Sequence, residues 1–251
     1  MVINKTMKKT ISRILFFFCF QLLIQSVYAG PPFGTDDPEP VDFRHWEYYL
    51  SSMHQVQPGF ATGTLPHFEI NYGLVPNCQI HAELPMNYNL IQNREFQYGY
   101  AYTELGFKYR FFQSKDKSFQ AGTFPIFEIP TVKNKNFGNN KTQVYLPLWL
   151  QKSWGRITTY GGGGYWINPG TGNKNWLFAG WELQYDLSKH FTFGGEIMFK
   201  TPNVSNSHSF AGINLGGFVN FSEKFHFIYS VGHSITSDHT TMAYAGFLIT
   251  I

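Results

Sequence analysis

The sequence predicts an all-β protein, a transmembrane antiparallel up-and-down β-barrel of about twelve strands. Three observations carry this. Phe, Tyr and Trp make up 19% of the 251 residues, while Asp, Glu, Lys and Arg make up only 14%, against roughly 25% in an ordinary soluble domain. Hydrophobicity alternates with period two along almost the whole chain, the signature of strands with one apolar and one polar face. The connections between strands alternate between tight and long, as they do in barrels with short periplasmic turns and longer extracellular loops.

The N-terminal segment reads as an export signal. Lys5, Lys8, Lys9 and Arg13 precede the apolar run Ile14–Ile24, and Val27-Tyr28-Ala29 supplies a cleavage site, the three-part pattern of a secretory signal peptide over residues 1–29. Removing it takes those four basic residues and no acid, leaving 15 basic and 16 acidic residues and a formal net charge of −1. No basic field remains to attract nucleic acid. Cys78 is then the sole cysteine, so no intramolecular disulfide forms. Away from the N-terminus no apolar run reaches the 20 or so residues of a membrane-spanning helix, and the mean hydropathy is −0.22. So aromatic a chain is not an intrinsically disordered one.

Residues 30–42 form a Pro-rich acidic segment with Asp36, Asp37 and Glu39 in one short run. It is unlike a strand, and is either a plug for the lumen or a periplasmic leader. The barrel is expected over 43–251, with strands at 43–55, 62–72, 77–88, 98–112, 118–131, 142–152, 156–167, 175–186, 190–201, 209–221, 225–233 and 240–251. The clearest is 77–88, where Cys78, Ile80, Ala82, Leu84 and Met86 alternate with Gln79, His81, Glu83, Pro85 and Asn87. Tight turns fall at Gly73–Pro76, Gln113–Lys117, Ser153–Gly155, Leu187–Lys189 and Ser222–Lys224. Longer connections fall at Val56–Ala61, Asn89–Gln97, Val132–Lys141, Asn168–Lys174, Pro202–His208 and Ser234–His239. A soluble β-sandwich shares the alternation, but these polar faces carry too few charges for a well-solvated exterior.

No GxSxG, HExxH, CxxC or Walker motif is present, and Gly161–Gly164 lacks the Lys-Ser/Thr of a phosphate loop. The polar faces would line the lumen with His67, Glu69, His81, Glu83, Glu104, Lys108, Arg110, Glu196 and Lys200. Tyr102, Tyr145 and Trp149 lie on the same faces as contacts for a ring-bearing solute. Two imidazoles and two carboxylates at His67, Glu69, His81 and Glu83 suit Zn²⁺ or acid–base chemistry. The favoured reading is a hydrogen-bonded network with Lys108 and Arg110, because buried charges need partners. No catalytic residue, metal or cofactor is expected.

The runs Pro31–Leu50, Gly63–Gly73, Tyr102–Phe111, Leu146–Gly155 and Thr159–Gly170 resemble outer-membrane proteins of the MetA-pathway phenol-degradation family, over nearly the whole mature chain. The resemblance implies an outer-membrane barrel in a Gram-negative bacterium that carries small, aromatic or hydrophobic compounds, with no catalytic residues. Its partners would be outer-membrane lipid, the barrel-assembly and periplasmic chaperone machinery, and an unspecified small-molecule solute. Twelve strands lie between the eight of side-chain-filled barrels and the sixteen of open porins, so a constricted polar channel is expected. The alternatives are an outer-membrane enzyme acting on lipid or peptide through a His/acid site at the rim, and a structural or adhesion barrel working through its loops.

Overall fold

The computed structural model describes residues 31–100, 102–131, 137, 141–236 and 239–251. The expected signal peptide and most of the Val132–Lys141 loop lie outside the described residues.

Fourteen β-segments follow one another, with no helix among the described residues: β1 (Trp46–Gln57), β2 (Phe60–Val75), β3 (Cys78–Ile91), β4 (Gln97–Tyr100), β5 (Thr103–Gln113), β6 (Phe119–Thr123), β7 (Ile126–Ile129), β8 (Gln143–Trp154), β9 (Ile157–Ile167), β10 (Trp176–Ser188), β11 (Phe191–Lys200), β12 (Phe210–Asn220), β13 (Phe225–Ser234) and β14 (Thr241–Thr250). β4 and β5 are two lengths of one stave, as are β6 and β7, so the staves number twelve. Each pairs antiparallel with its neighbours, and β1 closes the ring on β14 from Glu47↔Thr250 to Val56↔Thr241. Closure leaves no edge whose amides would need water, the condition for a sheet to stand in lipid.

The structure corrects three strand expectations. The run 98–112 is interrupted at Tyr102, and 118–131 is broken at Phe124-Pro125. Pro125 has no N–H for the ladder; its carbonyl still accepts from Phe107 N at 3.2 Å, while the Phe124 side chain turns inward and is buried. The first expected long connection, Val56–Ala61, is instead a two-residue link at Pro58-Gly59. There Gly59 adopts φ +78°, a conformation glycine reaches without a Cβ clash.

The barrel is inside-out relative to a soluble protein. Leu50, Phe68, Ile80, Leu105, Leu146, Leu148, Leu183, Ile197, Leu215 and Phe247 are exposed on the outer face, while His67, Glu69, Gln79, His81, Lys108, Glu182, Gln184 and Glu196 are buried inside. Leu148 is 51% exposed and the adjacent Trp149 is 1% exposed, a direct result of the strand period of two. Outer-face rings gather near both ends of the staves, as Trp46 with Tyr48 and Tyr72, Phe225 with Phe221 and Phe247, and Phe96 with Tyr88 and Tyr98. Such rings suit the membrane interfaces, where a flat amphipathic side chain meets both media.

Candidate functional site: a strapped lumen

Three groups of inward side chains meet around the lumen. The first is an acid–imidazole wall on β1, β2, β3 and β5. His67 lies opposite Ser51 across the β1–β2 ladder, and its Nδ1 contacts Ser51 Oγ at 2.9 Å. Its Nε2 pairs with Glu83 Oε1. His81 Nδ1 lies 2.8 Å from Asn71 Oδ1, and Asn71 Nδ2 donates to Glu69 Oε1 at 2.8 Å. His81 Nε2 faces Glu104 Oε1 at 3.2 Å and Glu83 Oε2 at 3.9 Å. Tyr102 sits half-buried in the break of that stave, next to Thr103 at the start of β5.

The second group is aromatic. Phe124, Tyr145, Trp149 and Trp166 form one buried cluster, with Ile126, Trp176 and Phe178 packed against it. Tyr145 stacks on Trp166 at 4.8 Å between centroids, and Trp166 on Trp176 at 5.3 Å. Phe124 joins this cluster to the acid–imidazole wall, meeting His81 edge-on at 5.1 Å and lying 5.1 Å from Lys108 Nζ.

The third element is the N-terminal segment, which runs through the lumen as a strap over residues 31–41. Ser230 Oγ donates to the Pro32 carbonyl at 2.6 Å. Glu196 accepts from Gly34 N at 3.2 Å, from Thr35 N, and from Thr35 Oγ1 at 2.5 Å, and Asn214 Nδ2 steadies the same carboxylate at 2.8 Å. Lys108 Nζ reaches Asp36 Oδ1 at 2.9 Å and Asp37 Oδ1 at 3.6 Å. Glu39 Oε2 accepts from Gln120 at 3.0 Å and Gln151 at 3.1 Å, and Glu39 Oε1 lies 3.7 Å from Arg110. Val41 N donates to Gln79 Oε1 at 2.8 Å. The strap thus crosses from β3 past β5, β6 and β8 to β10, β11 and β13. Two wall glycines make room for it. A Cβ on Gly180 would lie 1.9 Å from Thr35 Oγ1, and one on Gly122 would lie 2.9 Å from Pro38 Cβ.

Lys108 and Arg110 therefore do not neutralise the acid–imidazole wall, as the network reading expected. Lys108 extends to the strap, and Arg110 is held by Asn77, Gln120 and Glu39. Tyr145 and Trp149 sit in the aromatic cluster, and Glu196 serves the strap. Lys200 stands apart at the end of β11, its Nζ 5.0 Å from the Phe210 ring centroid. Asp36, Asp37 and Glu39 all lie in the lumen.

Sequence reasoning missed Thr35, Gln79, Gln120, Gln151 and Ser230, neutral strap partners in strands whose chemistry looked unremarkable. It expected polar groups with a few aromatics on the inner faces, and no aliphatic cluster there. Tyr49, Phe218, Ile228, Tyr244 and Leu248 instead form a buried apolar cluster on β1, β12, β13 and β14. In β14 both faces are apolar, so alternation of hydropathy carries no sign of which residues point inward.

Ser51, His67 and Glu83 form a hydroxyl–imidazole–carboxylate chain. Ser51 is buried in the wall, 5% exposed, with no open approach for a substrate carbonyl.

No family model and no curated protein matches the sequence. Solved structures do match. The chain is similar to the COG4313 outer membrane channel from Pseudomonas putida F1, with a TM-score of 0.67 and 10% identity, over 86% of this chain and 98% of that one. It is similar to the KdgM porin, with a TM-score of 0.56 and 11% identity, and to the NanC porin, with a TM-score of 0.56 and 9% identity. Each of these matches covers 80% of this chain and 98% of the other. At such identities the likeness speaks for the fold: the chain is a closed twelve-stave barrel of the kind these outer-membrane channels share.

Proposed function

We propose that the protein is an outer-membrane channel whose lumen is closed by its own N-terminal strap, and that it passes small solutes bearing both a ring and a polar group. The observation that carries this reading is the strap itself, which crosses the lumen on polar contacts from Pro32 to Val41. A net contribution of about 0.5–1.5 kcal/mol per neutral bond, and about 1.5–3 where a charge takes part, leaves such contacts open to competition from water or a polar solute. Rings on one side of the path and carboxylates on the other offer a bipolar surface, which favours aromatic or partly hydrophobic cargo over ions alone. In this reading the short turns face the periplasm, the signal peptide directs export to the outer membrane of a Gram-negative cell, and the protein transports rather than catalyses.

The test is single-channel conductance in a planar bilayer, comparing the mature chain with one lacking residues 31–41. Small or rare steps from the mature chain and larger, sustained steps from the truncated one are expected. Equal conductance from both would sink the strap as a closure. Silence from both, with heat-modifiable gel mobility confirming the folded barrel, would sink the channel.

A further inference from the structure

The lumen holds a feature that transport does not require. Glu69, Glu83, Glu104 and Glu128 are direct cross-strand neighbours, Glu69↔Glu83, Glu83↔Glu104 and Glu104↔Glu128. They form an unbroken row of four carboxylates across β2, β3, β5 and β7. Side chains directly opposite stand about 4.5–5.5 Å apart at Cβ, and like charges there are destabilising. Among the described residues, the ion pairs of this row go to His67 and His81, while Lys108 and Arg110 are turned to the strap. Two imidazoles against four carboxylates leave the row short of positive charge even with both rings protonated.

The rings are also aimed. Asn71 has one amide orientation, because its Nδ2 donates to Glu69, so its Oδ1 faces His81 Nδ1 and holds the proton on that nitrogen. His81 Nε2 then presents its lone pair to the space shared with Glu83 and Glu104. One donor atom from each of His81, Glu83 and Glu104 lies within 4.8 Å of the others. His67 is braced in the same way: Ser51 holds Nδ1, and Nε2 points at the other oxygen of Glu83. Polar groups that fix the far nitrogen of a ring are the usual support of a ligating histidine. A tetrahedral ion with bonds of about 2.0–2.2 Å places its ligand atoms about 3.3–3.6 Å apart. The separations of 3.2 and 3.9 Å around His81 Nε2 bracket that range.

We propose that His81, Glu83 and Glu104 bind one divalent transition-metal ion in the lumen wall, of the Zn²⁺ class that takes mixed imidazole and carboxylate ligands, with a fourth position left to solvent. Asn71 orients the His81 ring, Glu69 acts through Asn71, and His67, itself held by Ser51, positions Glu83 through its other oxygen. The ion supplies the positive charge that the carboxylate row lacks and ties β3 to β5 inside the barrel.

The experiment uses the full mature chain, refolded in detergent, stripped with chelator and titrated with Zn²⁺ or Co²⁺. Expected are one Zn²⁺ per chain after desalting, and visible d–d bands from Co²⁺ with the intensity of a four-coordinate site. H81A should abolish the stoichiometric binding, and H67A, which frees the other oxygen of Glu83, should weaken it. E104Q, nearly the same shape, should weaken it at least tenfold. N71L, which touches no ligand atom of the site, should weaken it by about 10- to 100-fold. Heat-modifiable mobility reports which variants are folded. Absence of stoichiometric binding by the wild-type chain would overturn the proposal. So would undiminished binding by folded E104Q, or by a folded H67A/H81A double variant.

Discussion

The two sides of the lumen are built from the same kind of strand and do opposite things. On β2, β3 and β5 the inward positions are His67, Glu69, Asn71, His81, Glu83 and Glu104, linked in an unbroken chain of polar contacts. On β8, β9 and β10 the inward positions include Tyr145, Trp149, Trp166, Trp176 and Phe178, stacked ring on ring. The strap runs between them and belongs to neither. Its acids go to Lys108, Arg110 and the glutamines, and Glu196 on β11 receives its backbone. In the proposed channel, closure and the surface offered to a solute would be served by different residues, so each can be altered without the other.

The largest effect is expected from Gly180→Val, which puts a side chain where Thr35 Oγ1 now sits, since a Cβ at that position would lie 1.9 Å from the hydroxyl oxygen. The strap cannot seat, and conductance should match that of the chain lacking residues 31–41. A conductance like wild type would mean that the strap does not close the path. Next comes Glu196→Gln, which keeps the shape but removes the charge that gathers Gly34, Thr35 and Asn214. A charged hydrogen bond contributes about 1.5–3 kcal/mol, so open events should become about 10- to 100-fold more frequent at unchanged single-channel size. A change in size instead would place Glu196 in the conduction path itself.

The smallest effect should come from the ring wall. Trp149→Leu removes ring contacts to Tyr145 and Phe178. Aromatic pairs contribute about 0.5–1.5 kcal/mol beyond their area, so block of the strapless channel by a small aromatic acid should weaken about 2- to 12-fold. Glu104→Gln should instead strengthen that block, because it removes a negative charge facing the acid and leaves the rings in place. If the two substitutions acted equally, the walls would not be separate surfaces.

Much of this was legible in the chain. The alternation at Cys78–Asn87 assigns both faces of β3, and the connection chemistry located all twelve staves to within a few residues. Even the break at Phe124-Pro125 carries a local mark, since proline cannot complete a ladder. The strap's acids stood out as the one segment unlike a strand, yet no local feature ties Thr35 to Gly180 or Asp36 to Lys108, because those pairs are separated by a large part of the barrel.

By itself the sequence determined the class of fold, the inside-out character and the two faces of the regular strands, because period two is a property of a single strand. Only the tertiary structure decided which inward residues meet. Register across β2, β3, β5 and β7 sets four distant glutamates side by side. Closure of the ring on β14 turns Leu248 and Ile228 inward, where hydropathy gave no direction. Register and closure depend on hydrogen bonds between strands far apart in the chain, and no local pattern of residue types contains them.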